Sequence, residues 1–252
     1  MADQQPLFEY LLRLGDNGVI LAHRLSEWCG HGPVLEEDLA LTNVALDLIG
    51  QARLWLTLAG TVEGDGRNEN QLAYLRDGGG YRNLLLVEQP NGDFAHSLAR
   101  QFYFDTWHYF LLRGLSGSAD PRIAEIAEKS IKEVAYHLRR SSGWVVTLGD
   151  GTPESQRRMQ TAVDALWAYT GEMFETDAVD MAVAEDGVGV NPETLRGPWA
   201  AHVHDTLERA TLRLPDEHWW HKGGKRGIHS EHLGFILAEM QFLQRAYPNA
   251  RW

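Results

Sequence analysis

Apolar residues return every three or four positions over long stretches of this chain, and that period restricts the fold more than any other feature. Leu7, Leu11, Leu14, Leu21, Leu25 and Trp28 fall on such steps or their sums, which line one face of an α-helix. Leu39, Leu46, Ile49, Leu54 and Leu58 form a second such run before Gly60. Phe94, Leu98, Phe102, Trp107, Leu111 and Leu115 mark a third, and Ile123, Ile126, Ile131, Val134 and Leu138 a fourth that continues to about Leu148. Period-two runs of β-branched residues are missing from the sequence, so no strand is expected.

Start and stop signals bound these runs. Gly30-His31-Gly32-Pro33 closes the first, because glycine permits a left-handed cap and proline cannot continue the ladder. Glu36, Glu37 and Asp38 open the second at the positive end of the helix dipole. Gly64-Asp65-Gly66, Gly78-Gly79-Gly80 and Gln89-Pro90-Asn91-Gly92-Asp93 break residues 64–93 into short pieces. Asp120-Pro121, Thr152-Pro153 and Asn191-Pro192 each set a capping side chain before a proline. The last two open helices through Met159, Val163, Leu166 and Met173, and through Leu195, Trp199, Val203 and Leu207. A final helix from near Ser230 uses Leu233, Ile236, Leu237, Met240 and Leu243. With no repeat and no low-complexity linker, the expectation is one all-α domain over residues 1–252, four long helices with further helices around them.

Charge and cysteine usage exclude several classes. Thirty-five acidic against 23 basic residues give a formal charge of -12, the wrong sign for displacing counterions from nucleic acid. Cys29 is the sole cysteine, which rules out an intrachain disulfide and suits a reducing compartment. No apolar segment approaches the roughly 20 residues of a membrane span, and Met1-Ala2-Asp3-Gln4-Gln5-Pro6 does not open a secretory signal. The expected setting is the cytoplasm, with neither nucleic acid nor membrane as partner.

Polar residues inside apolar stripes carry the functional information. Asn43, Asp47 and Gly50 share a face of the second helix, Gln101, Asp105 and His108 one of the third, and Ser130, Glu133 and His137 one of the fourth. A di-iron site in a four-helix bundle takes a Glu from each of two helices and a Glu-x-x-His pair from each of the other two. Here the set is incomplete. Gly50 stands three residues after Asp47 where a histidine is needed, and Val134 stands three before His137 where a carboxylate is needed. Asp105 and His108 form the one intact pair, and Asp16 and Glu27 on the first helix match no evident height. Three readings follow: a satisfied polar core network, a polar patch partly buried at an interface, or a metal-dependent oxidase with a reduced site of Asp47, Asp105, His108, Glu133 and His137.

One basic segment stands out in the acidic chain. Residues 218–234 place Lys222, Lys225 and Arg226 among glycines just before the helix at Ser230, where free N–H groups and the dipole favour an anion. A phosphate group or an acidic patch on a partner would suit it. The alternative is a surface loop anchored by Trp219 and Trp220 with its lysines solvated. His229 and His232 sit beside Glu231 without a further ligand set, so capping or packing is expected of them.

Several segments together resemble one family, the C subunits of the multicomponent phenylacetyl-CoA 1,2-epoxidase, an oxygenase. They are Leu14-Gly15-Asp16-Asn17, Leu25 to His31, Leu46 to Arg53, Asn83 to Phe94 and Gly223 to Gly234, ending in Ala238-Glu239-Met240-Gln241. The resemblance implies a ferritin-like four-helix bundle core with additional C-terminal helices. It implies no cofactor and no catalytic residue in this chain. The di-iron centre belongs to a homologous catalytic subunit that binds the CoA thioester, and a reductase supplies electrons from NADPH. The chain is then a structural support, with a second copy of itself as a further partner. The missing ligands at Gly50 and Val134 agree with that role.

Overall fold

The computed structural model describes residues 4–216, 219–248 and 250. Among them the regular structure is wholly helical, with short 3-10 turns and no strand. In chain order the helices are α1 Gln5–Ser26, α2 Leu35–Glu63, α3 Glu69–Tyr74, α4 Phe94–Leu115 and α5 Pro121–Gly149. They continue with α6 Pro153–Trp167, α7 Ala178–Glu185, α8 Glu193–Arg209, α9 Glu231–Met240 and α10 Phe242–Ala246. The four long helices are therefore α1, α2, α4 and α5. Contacts divide the chain into two compact units, Met1–Gln89 with Lys222–Trp252, and Pro90–His221.

The start signals work as their chemistry demands. Asp93 accepts from the His96 N–H, Asp120 from Arg122 and Thr152 from Ser155, each satisfying an otherwise orphan donor. Gly64 closes α2 at φ 77°, a left-handed conformation that costs glycine nothing. Three helices are shorter than the periodicity suggests. α1 stops at Ser26, before Trp28. α6 stops at Trp167, and Met173 lies in a separate 3-10 turn, Gly171–Phe174. The C-terminal run breaks at Gln241, whose side chain donates to the Arg76 carbonyl at 2.9 Å.

In the first unit α1 and α2 pack antiparallel and very close. A Cβ at Gly15 would lie 2.6 Å from the Leu56 side chain, and one at Gly18 3.1 Å from Ala52. The buried face of α2 is Leu41, Val44, Ala45, Leu48, Ala52, Trp55, Leu56 and Ala59. This corrects the sequence expectation, because much of the stripe read there points outward. Of that stripe Leu39 is 55% exposed, Leu46 64% and Ile49 37%, and Leu35 at the helix start is 71% exposed as well. α2 thus carries two apolar stripes, and period alone does not say which one the core takes.

Buried polar groups hold the rest of this unit. Asp16, with no exposure, takes the Arg76 guanidinium on both oxygens and the Arg82 N–H at 2.8 Å. Asn17 Oδ1 accepts from the Leu84 N–H at 2.8 Å. Glu88 is also fully buried, and Arg24 of α1 donates to its backbone carbonyl at 2.9 and 3.1 Å. The Glu88 carboxylate accepts from the Ser230 N–H at 2.7 Å, from Asn83 Nδ2 at 3.1 Å and from His229 Nδ1 at 3.0 Å. His229 Nε2 donates to the Tyr81 carbonyl at 3.1 Å. Both ring nitrogens face acceptors, and only an imidazolium supplies two N–H donors.

Burial opposes that charge, but the hydrogen bond and charge of Glu88 outweigh it, helped by the Tyr81 carbonyl and Asp16, so the His229 pKa rises. A folded-state pKa above 6.5 means its stabilisation is complete below about pH 6.5 and fades as pH rises through the folded value. Hydrogen-exchange protection in α9 is therefore expected to fall from pH 6 to pH 9 while the α1–α2 core keeps its own. His229→Gln should flatten that dependence, and identical pH profiles in both proteins would refute the imidazolium.

Candidate functional site

The second unit is built on the α4–α5 hairpin, with an aromatic cluster beside it. Phe94 meets Trp144 edge-on at 5.3 Å, Trp199 Nε1 donates to the Tyr103 carbonyl at 3.0 Å and Trp107 Nε1 to that of Met173 at 3.1 Å. Inside the hairpin lie polar residues singled out from the sequence. Gln101, Asp105 and His108 on α4 are all buried, and Gln101 Nε2 donates to Asp105 Oδ1 at 2.6 Å.

On α5 the buried positions include Ser130, Val134, His137 and Ser141, at steps of four, three and four. Glu133 is half-buried. The residue at the inward height is thus valine, and the carboxylate one place earlier is turned partly away. On α2 of the other unit Asp47 is half-buried and Gly50 exposed, with nothing within 4 Å of where its Cβ would be. Of the three carboxylates the sequence analysis placed on inner faces, Asp105 alone is fully buried. Among the described residues no group of three or more His, Cys, Asp or Glu side chains lies close enough to hold a metal ion.

Burial dominates the electrostatics of this cluster. Burial raises the Asp105 carboxyl to about 6, against the opposing pull of His137, Ser141, Gln101 and Arg140. Burial, reinforced by His137, lowers His108 to about 3 and keeps it a neutral imidazole near pH 7. His108 Nδ1 is buried without a hydrogen-bond partner. Near pH 7 Asp105 is therefore mostly ionised, with the Gln101 amide donating to it, and His108 beside it on α4 is neutral.

The basic segment has a different surrounding from the one its sequence suggests. The N-terminus of α9 already has its anion, because the Glu88 carboxylate receives the Ser230 N–H. Glycines there serve packing: a Cβ at Gly224 would collide with the Asn83 carbonyl, and Gly227, at φ 76°, lies against that of Gly79. Lys222 and Arg226 are exposed and Lys225 half-buried. His218 lies outside the described residues. Trp220 is half-buried against Gly171, whereas Trp219 is exposed with its ring 4.3 Å from His221.

Asp16 with Arg76 and Glu88 with His229 are the polar pairs that periodicity overlooked. Their partners lie 60 and 141 residues apart, and no local spacing connects them. The one sequence signal was that Asp16, Glu88 and His229 belong to the segments Leu14 to Asn17, Asn83 to Phe94 and Gly223 to Gly234, whereas Arg76 lies in none of them.

Long helices with a buried Asp-x-x-His and a second histidine on the next helix are the layout of a ferritin-like protein, depleted in carboxylates. The chain belongs to the phenylacetic acid catabolic protein family, whose sequence model it matches over residues 1–252. It is 51% identical over 246 residues to the C subunit of the 1,2-phenylacetyl-CoA epoxidase of Escherichia coli strain K12, spanning 98% of this chain and 99% of that protein.

The network reading makes a distinct stability prediction. Asp105→Asn keeps the shape and removes a carboxyl that burial disfavours, so its stability at pH 7 should stay within about 1 kcal/mol of the parent. Asp105→Ala leaves Gln101 without its acceptor and should cost about 1–3 kcal/mol in urea unfolding. Equal, large losses in both variants would contradict it.

Proposed function

We propose that this chain is the non-catalytic structural subunit of a multicomponent phenylacetyl-CoA 1,2-epoxidase, working in aerobic phenylacetate breakdown in the cytoplasm. Its partner in this reading is a homologous catalytic subunit that carries the di-iron centre, with a reductase upstream. The E. coli relative named as an epoxidase subunit supports this, and no helix among the described residues is long and apolar enough to cross a membrane. The match of one family model to residues 1–252 supports treating the chain as one functional domain.

The observation that carries the proposal is the outer stripe of α2. Leu35, Leu39, Leu46 and Ile49 follow steps of four, seven and three, the heptad spacing that one helix offers another. Each exposed leucine forgoes roughly 1.5–3 kcal/mol of burial, which a helical partner would recover. An oxidase site of Asp47, Asp105, His108, Glu133 and His137 is disfavoured by the partial exposure of Asp47 and Glu133. Lys222, Lys225 and Arg226 remain a contact for an anionic group, whether a CoA phosphate or acidic residues of the partner.

Co-expression with the di-iron subunit and size-exclusion chromatography test the proposal. The pair should co-elute, and Leu39→Asp with Leu46→Asp should weaken association by about 100-fold or more while the variant alone keeps its helical circular dichroism. Undiminished co-elution of that variant would refute α2 as the contact face.

A further inference from the structure

Beyond the structural role, the second unit contains a preformed hollow that no part of that role uses. Trp167, Phe174, Trp199 and Trp220 wall a cavity of about 150 Å³, with Arg196 and Ala200 at its rim. Clusters of this kind ordinarily interlock without voids, since interiors pack like organic crystals. Here the rings do touch, with centroids 5.1 Å apart for Phe174 and Trp199, 5.6 Å for Trp167 and Trp199 and 6.1 Å for Trp167 and Trp220, and the hollow is left beside them.

The walls are fixed in place. The Trp199 indole is tied to the Tyr103 carbonyl, and the segment bearing Trp220 is held by the His221 N–H on the Ala168 carbonyl at 2.9 Å. Trp220 lies flat on Gly171, where any side chain would collide with its ring. His221 in turn stacks on Tyr169 at 4.2 Å with the rings 6° from parallel. The cavity therefore needs no rearrangement to admit a guest, which removes much of the ordering cost of binding.

Size and charge define the guest. A closed apolar cavity of roughly 150 Å³ accepts a benzene-sized ring, and aromatic walls favour a flat one through offset and edge contacts. Arg196 is the one charged residue among those lining the hollow. Its guanidinium sits 4.8 Å over the Phe174 ring and bonds the exposed Glu193 at 3.2 Å. An exposed i,i+3 pair of this sort is worth little, so a carboxylate arriving at the rim exchanges readily with it. We infer that this hollow is a binding site for a small aromatic carboxylate, its ring between Trp167, Trp199 and Trp220 and its acid group on Arg196.

Titration of the full chain with benzoate, followed through the indole N–H resonances of Trp167, Trp199 and Trp220, tests this inference. Saturable shifts with a Kd of about a millimolar or tighter are expected, and benzylamine, of the same ring but opposite charge, should give none. Arg196→Gln should weaken benzoate about tenfold while leaving benzyl alcohol unchanged. Ala200→Phe, on an exposed helix position, should abolish binding by filling the mouth. The site is refuted if benzoate produces no saturable shift, if benzylamine binds as well, or if binding survives Ala200→Phe.

Discussion

The buried carboxylate of Glu88 organises the first unit. Its backbone carbonyl is gripped by Arg24 of α1, and its side chain receives Ser230, His229 and Asn83. A carboxylate with no solvent exposure is tolerable only when its oxygens are filled with donors. Two of those donors lie 141 and 142 residues further along the chain, so satisfying one side chain brings the C-terminal helices back to the first hairpin. Asp16 does the same for the stretch between α3 and residue 82, through Arg76 and Arg82. Two of the segments that resemble epoxidase C subunits, Asn83 to Phe94 and Gly223 to Gly234, meet at Glu88.

The helices were legible because their cause is local. Capping residues at 93, 120 and 152, prolines just inside helix starts and the 3.6-residue period all act within one or two turns. The side of a helix that becomes core is settled by its neighbours instead. On α2 both stripes are apolar, and the close approach at Gly15 and Gly18 selects the Leu48–Ala52–Leu56 side. On α5 the same limit applied: Glu133 and Val134 are adjacent, and only packing shows that the valine faces inward. Asp105 and His108 were found because both sit on one turn of one helix. The Glu88–His229 contact was hidden because no spacing rule reaches across 141 residues.

These two differences of facing belong to one functional picture. α2 exposes leucines that a self-sufficient domain would bury, and α5 buries a valine where a metal site would need a carboxylate. The first suits attachment to another helical chain. The second leaves Asp105 and His108 in surroundings where burial favours their neutral forms. In the structural role proposed for it, the chain contributes surface and rigidity, and its inner polar residues hold helices in register.

Iron content of the isolated chain bears most directly on this account. Protein purified from iron-supplemented cells without its partner, and analysed by mass spectrometry for metal, should contain far less than one equivalent of iron per chain. Asp105→Ala and His137→Ala should leave that value unchanged. Near-stoichiometric iron in the parent, lost in both variants, would contradict the structural reading and restore the oxidase.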